Sequence, residues 1–145
     1  METIIIDDAG YIMTFEYFKR ANEVGYNKFS AMAGHMVEVF TAAKDMPDTV
    51  SVVFMFHSED VIAEGKNPSK RIKTVGKMVS DSFIPEALFS IVLYTHVDFD
   101  EKGKPSYQFI TNHTLQAPAK TPRGLFEDLY IPNDLNFVLN AIKEY

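Results

Sequence analysis

Two adjacent carboxylates, Asp7 and Asp8, stand directly after the apolar run Thr3-Ile4-Ile5-Ile6. A run that is apolar on both faces reads as a buried, parallel strand. Ligands collect beyond the carboxyl ends of such strands. There, one acid can hold Mg²⁺ through water and the next can orient or deprotonate an attacking water. The plainer alternative is a pair of solvated acids at a strand end. A second polar group closes the next apolar run, Val52-Val53-Phe54-Met55-Phe56-His57. His57 lies beside the acids if the two strands are neighbours, and is otherwise an ordinary surface residue.

Cations are concentrated elsewhere. Lys66, Lys70, Arg71, Lys73 and Lys77 follow one another with no acid between 66 and 77, in a chain whose net charge is −6. Lys70, Arg71 and Lys73 are therefore the expected contacts to single-stranded DNA, if nucleic acid is bound at all. The competing reading is a solvated helix face, and no aromatic residues interleave to stack bases. A second basic pair, Lys120 and Arg123, sits in the proline-stiffened loop Ala117-Pro118-Ala119-Lys120-Thr121-Pro122-Arg123-Gly124, where it could meet a phosphate or simply face solvent.

The elements that must position these residues follow from periodicity. Residues 11–24 have moderate helical spacing and end at Gly25. Phe29, Met32, Met36, Val37, Phe40 and Ala43 define an amphipathic helix capped by Asn27 and closed by Pro47. Residues 50–56 form a second buried strand, 58–69 a polar loop, and Ser69 caps a helix from Lys70 to Phe83. Leu88 to Val97 is a third strand, and Gly103 turns the chain into a hairpin with Ser106–Thr111. Residues 114–124 are loop, and Asn133 caps a last helix carrying Leu135, Val138, Leu139 and Ile142. The alternation predicts an α/β fold with a mostly parallel sheet of about four to five strands, flanking helices and a C-terminal hairpin, in one domain over 1–145.

Composition bounds the rest. With 145 residues, 46% hydrophobic and 13% aromatic, the chain has ample apolar area for a core. No cysteine is present, which excludes a disulfide scaffold, a zinc ribbon, an iron–sulfur site and a thiol nucleophile. No apolar run approaches the ~20 residues that span a bilayer, and no signal peptide is visible. A cytoplasmic protein without membrane contact is expected. A phosphate-binding G-x-x-x-x-G-K-[ST] loop is absent: Gly76-Lys77 is followed by Met78, and Arg71 stands where the first glycine belongs. His35, His57, His96 and His113 lack zinc spacing. A Mg²⁺ nuclease using Asp7, Asp8 and Asp60 or Asp98 has no motif to link its members.

The order of apolar strand with Asp-Asp (a Walker B form), amphipathic helix, strand ending in His, basic segment, strand, hairpin and Lys/Arg loop resembles the C-terminal half of RecA-like P-loop ATPases. Most similar are those of phage recombination and single-strand-annealing modules. The likeness rests on Ile5-Ile6-Asp7-Asp8 with Tyr11 and Met13, Gly25-Tyr26 with Lys28-Phe29, His57, Lys73-Thr74-Val75-Gly76-Lys77 and Lys120-Thr121-Pro122. It implies Mg²⁺ and ATP as cofactors. Asp7 would be the Mg²⁺-associated acid, Asp8 the water-orienting acid and His57 a γ-phosphate sensor. Residues 58–69 with Lys70, Arg71 and Lys73 would face DNA, and Lys120 and Arg123 would reach a neighbouring subunit's nucleotide. With no P-loop in this sequence, hydrolysis by this chain alone is not expected, and a degenerate ATPase lobe that binds a protein partner as decoy or inhibitor is the alternative. The resemblance also implies a P-loop strand beside Ile4–Ile6. Its absence here leaves that edge to be covered, so a homo-oligomer is expected, in the cytoplasm of a bacterial host if the chain is of phage origin.

Overall fold

A computed structural model describes residues 2–62, 68–75 and 83–145. The elements are β1 (Glu2–Ile6), α1 (Gly10–Lys19), α2 (Asn27–Lys44), β2 (Val50–Phe54), β3 (Ser58–Val61), β4 (Ser69–Ile72), a 3-10 turn (Pro85–Leu88), β5 (Tyr94–Phe99), β6 (Pro105–Ile110), β7 (Tyr130–Pro132) and α3 (Leu135–Glu144). The chain divides into two compact units, one of residues 1–59 and 72–88, the other of 60–71 and 89–145.

The strands do not form one mostly parallel sheet of four to five strands. β1 and β2 make a parallel pair, β3 and β4 a separate two-stranded antiparallel sheet, and β5-β6-β7 an antiparallel sheet in that order. The reason is connection length. A parallel pair needs a crossover of a dozen or more residues, and the segment holding α1 and α2 supplies one. Between β2 and β7 the described residues hold no comparable helix. Ser69-Lys70-Arg71-Ile72, expected to open a helix, is strand β4, and the rest of that expected helix, 76–82 with Lys77, lies outside the described residues. So does the 63–67 part of the expected loop, with Lys66.

In the first unit the core lies under α2. Met32, Met36 and Phe40, spaced at i, i+4 and i+8, are buried, and the Phe40 ring meets Phe54, Phe56 and Phe83 at centroid distances of 5.0, 6.1 and 6.3 Å. α1 buries Met13 and Ala9 precedes it with no exposed surface. α1 stops at Lys19, short of the expected 24. The Arg20 amide bonds back to the carbonyls of Glu16 and Tyr17, and its side chain is held by Glu16 and Glu23. β1 is also less covered than its composition suggests, with Ile4 40% and Ile5 52% exposed.

In the second unit Tyr94, Ile110, Ala117 and Ala119 form the core with Val92 against them. Thr111 is fully buried, its hydroxyl donating to the carbonyls of Asp128 and Leu129 at 2.8 and 3.2 Å. The β5–β6 turn is an Asp100 turn, with Oδ1 accepting from the amides of Lys102 and Lys104 and Gly103 at φ +75°. α3 is capped by Asp134 rather than Asn133: the Asp134 side chain accepts from the amides of Asn136 and Phe137. Among the described residues no helix is long and apolar enough to cross a membrane.

Candidate functional site

The two strands that end in polar residues are direct neighbours. β1 pairs with β2 from Glu2 opposite Val50 to Ile6 opposite Phe54. Beyond the last pair the ladder continues through Met55, whose amide donates to the Ile6 carbonyl at 3.0 Å and whose carbonyl accepts from the Ala9 amide at 2.8 Å. These bonds fix the chain on either side of Asp7 and Asp8. Between them Asp8 adopts φ +52°, the left-handed region that non-glycine residues seldom occupy but Asp tolerates. Its carbonyl then accepts from the Tyr11 amide at 2.9 Å to start α1.

That turn brings Asp8 to His57. Asp8 Oδ2 lies 3.0 Å from His57 Nε2, with the carboxylate largely covered and the imidazole mostly exposed. His57 is held from the other side by its carbonyl, which accepts from the Lys73 amide at 2.8 Å. The other oxygen of Asp8 lies against the first turn of α1: a methyl at Gly10 would sit 3.6 Å from Oδ1, in ordinary contact. The site is thus a carboxylate–imidazole pair at the carboxyl edge of a parallel strand pair, able to hold a water and to exchange a proton with it. Asp7, next to it, is exposed. Among the described residues no group of three or more His, Asp or Glu side chains could hold a metal ion.

The other sequence candidates are placed differently. Lys70 and Arg71 lie on β4. The Lys70 ammonium is 3.0 Å from Asp60 Oδ1, and its amide donates to the Gln116 carbonyl at 2.7 Å. A shallow cavity of about 240 Å³ is lined by Asp60, Pro68, Lys70 and Gln116. Arg71 is half-buried and Lys73 exposed. Asp60 and Asp98, the conceivable third acids, are engaged locally, Asp98 with the Phe99 amide at 2.8 Å. Lys120 is fastened through its backbone, donating to and accepting from Val92 at 2.9 and 2.8 Å. Arg123 is exposed, and its carbonyl accepts from the Tyr145 hydroxyl at 3.3 Å. Asp8 and His57 belong to one compact unit, Lys120 and Arg123 to the other.

Sequence reasoning missed a second charged cluster. Glu16 Oε1 accepts from Arg20 Nη1 at 3.0 Å and lies 2.9 Å from His35 Nδ1, tying α1 to α2. Partial burial pushes the Glu16 carboxyl up, but hydrogen bonds from His35 and Arg20 outweigh it and hold the group below the usual carboxylate range. The i, i+4 spacing of Glu16 and Arg20 was a readable signal, whereas the approach of His35 depends on helix packing. No protein-family model, curated protein or solved structure matches the chain.

Proposed function

We propose that this chain supplies the acid-and-sensor part of a RecA-like, phage-type P-loop ATPase acting in DNA recombination or annealing, and does not hydrolyse ATP by itself. The observation that carries the reading is the 3.0 Å contact between Asp8 and His57 at the carboxyl edge of the parallel β1–β2 pair. In this reading Asp8 orients the attacking water, and His57, bonded to Asp8 through Nε2, reports on the γ-phosphate. Asp7, an exposed hard oxygen donor beside them, suits Mg²⁺, which keeps most of its waters and needs only one or two carboxylates. Mg²⁺ bound there would neutralise phosphate charge. Lys120 and Arg123 would meet the nucleotide of a neighbouring subunit. Lys70, Arg71 and Lys73 would contact single-stranded DNA, with Lys70 first released from Asp60.

The chain has no P-loop, so the β- and γ-phosphates lack the backbone N–H cradle and lysine that such enzymes use. Purified chain is therefore expected to release phosphate at the rate of a buffer blank. Mixed with a P-loop-bearing segment it should turn ATP over, and Asp8→Asn should abolish that turnover. Turnover by the chain alone above about 0.1 s⁻¹ that vanishes in Asp8→Asn would overturn the reading. For DNA, reversing the charge of Lys70, Arg71 and Lys73 together should remove weak, salt-sensitive binding to single strands, and unchanged binding at low salt would exclude this segment.

A second reading, a non-enzymatic lobe that binds a protein partner, is favoured by α1. Tyr11, Phe15 and Phe18 recur at i, i+4 and i+7 and are 48%, 62% and 68% exposed. A helix apolar on the face away from its own core normally has that face covered. Capture of a partner that is lost in Phe15→Glu, with no turnover under any condition above, would select this reading.

A further inference from the structure

Among the described residues no strand lies on the outer edge of β1. In a parallel ladder the N–H and C=O of one residue point to the same side, and successive residues alternate. The Glu2 amide donates to Thr49 and the Ile6 carbonyl accepts from Met55, so Glu2, Ile4 and Ile6 spend their backbone groups on the β2 side. Thr3 and Ile5 therefore direct theirs away from β2, and among the described residues no strand pairs with them. The same strand leaves Ile4 40% and Ile5 52% exposed. An apolar strand edge with unspent donors and acceptors is a template for another strand, and a two-stranded sheet is marginal on its own.

We infer that a second copy of this chain occupies the edge, β1 pairing antiparallel with the partner's β1 about a two-fold axis through Ile4. Three features of the strand select this arrangement. A two-fold axis normal to the sheet makes the pairing antiparallel, the commonest closed form of association. The pairing must place outward-directed residues opposite one another, which Thr3 against the partner's Ile5, and the reverse, satisfies on both sides of the axis. Finally, the strand is short, running from Glu2 to Ile6 before Asp7 and Asp8 turn the chain. Centring on Ile4 sets Glu2 against Ile6 and leaves Asp7 beyond the partner strand. Shifting the axis to Ile5 would leave only Ile4–Ile6 paired and set Glu2 and Thr3 opposite the turn at Asp7 and Asp8 instead of a strand. Shifting it toward Thr3 shortens the overlap. Hydrogen-bond direction and strand overlap thus choose one register, and the product is a four-stranded sheet, β2-β1-β1-β2. The inference does not depend on nucleotide chemistry, and it stands or falls apart from the proposed function.

The absence of cysteine makes the register directly testable on the intact chain. With the axis at Ile4, the two copies of that residue form a non-hydrogen-bonded pair with Cα atoms about 4.5 Å apart, within disulfide reach. Copies of Thr3 face each other only diagonally, at about 7–8 Å, as do copies of Ile5. Under mild oxidation Ile4→Cys should cross-link to a covalent dimer as its main product. Thr3→Cys and Ile5→Cys should each stay monomeric alone and cross-link when mixed. Sedimentation of the unmodified chain at rising concentration should approach a mass twice 16.5 kDa. Ile5→Pro, which removes an outward donor and no bond to β2, should return it to the monomer mass with its circular dichroism unchanged. An Ile4→Cys chain that stays monomeric, equal cross-linking of all three single variants, or a monomer at every concentration would overturn the inference. The last of these is what a strand from a different protein on this edge would give.

Discussion

The two compact units differ in how completely each satisfies its own elements. The unit of residues 60–71 and 89–145 caps its helix and its hairpin turn locally. Its helix α3 has a side-chain cap from Asp134, its hairpin turn is held by Asp100, and the hydroxyl of fully buried Thr111 reaches two carbonyls, although the buried hydroxyl of Thr121 has no partner among the described residues. The unit of residues 1–59 and 72–88 does not. Neither α1 nor α2 has a side-chain cap, α1 exposes three aromatic rings, and among the described residues no strand pairs with the outer edge of β1. It also holds the left-handed Asp8 and the Asp8–His57 pair. Elements of low local satisfaction are where binding and moving parts are drawn from. The Asp8–His57 pair therefore sits in the unit that leaves most undone.

The sharpest test of that contrast is the core of the first unit. Phe40 is 2% exposed and its ring meets three others. Truncating it removes a large buried surface and leaves a cavity, at a cost of about 3–5 kcal/mol. In a unit with uncapped helices this should melt α2 and β2 while the β5-β6-β7 sheet persists. Urea titration followed by amide exchange should show the first unit's protection lost well before the second's. A single cooperative transition shared by both units would break the comparison.

A smaller effect is expected in the second unit. Thr111→Val keeps the shape of the side chain but deprives the Asp128 carbonyl of its donor, while the Thr111 amide still reaches Leu129. Losing one part-buried hydrogen bond costs about 0.5–1.5 kcal/mol, read as a lower urea midpoint with an unchanged slope. No change would mean that water replaces the hydroxyl and that this unit is less closed than its hydrogen bonds suggest.

The contrast also explains what the sequence revealed. β1, α2 and β2 were legible because continuous apolar runs and i, i+4 stripes are strong local signals, and the His57–Asp8 contact followed once those strands were neighbours. β3 and β4 were not: Ser58-Glu59-Asp60-Val61 and Ser69-Lys70-Arg71-Ile72 show little apolar alternation, and their strand state comes from partners such as Gln116 and His57 that no local pattern displays. β7 is three residues ending in proline, held by pairing with β6. Misreading β4 as a crossover helix is what turned three small sheets into one expected parallel sheet. The cap of α3 was displaced by one residue, since Asn133 and Asp134 are both good caps and only backbone geometry decides between them.

That cap supplies the next prediction. Asp134→Ala removes the acceptor of two first-turn amides and should cost about 1 kcal/mol, fraying α3. Asn133→Ala should have a far smaller effect, and the reverse ranking would show that the Asn133 side chain is the operative cap.

The smallest effect concerns the charged tie between α1 and α2. Glu16 is bonded to Arg20 and His35, and its carboxyl is held below the usual range despite the opposing push of burial. A carboxyl lower in the folded state than in the unfolded state stabilises the fold above its unfolded value, about 4.3. That contribution is lost as the pH falls through the folded value. Stability of the first unit should therefore decline on acidification below about pH 4.3 more steeply in the wild type than in Glu16→Gln. At neutral pH the variant should be weaker by only about 0.5–1 kcal/mol, because both partners retain access to solvent and salt screens them. Salt separates this tie from a packing effect: the difference between wild type and Glu16→Gln should shrink as ionic strength rises. If it persists at high salt and shows no acid dependence, the glutamate acts through its methylene packing between the helices, and α1 is better anchored than its exposed aromatic face indicates.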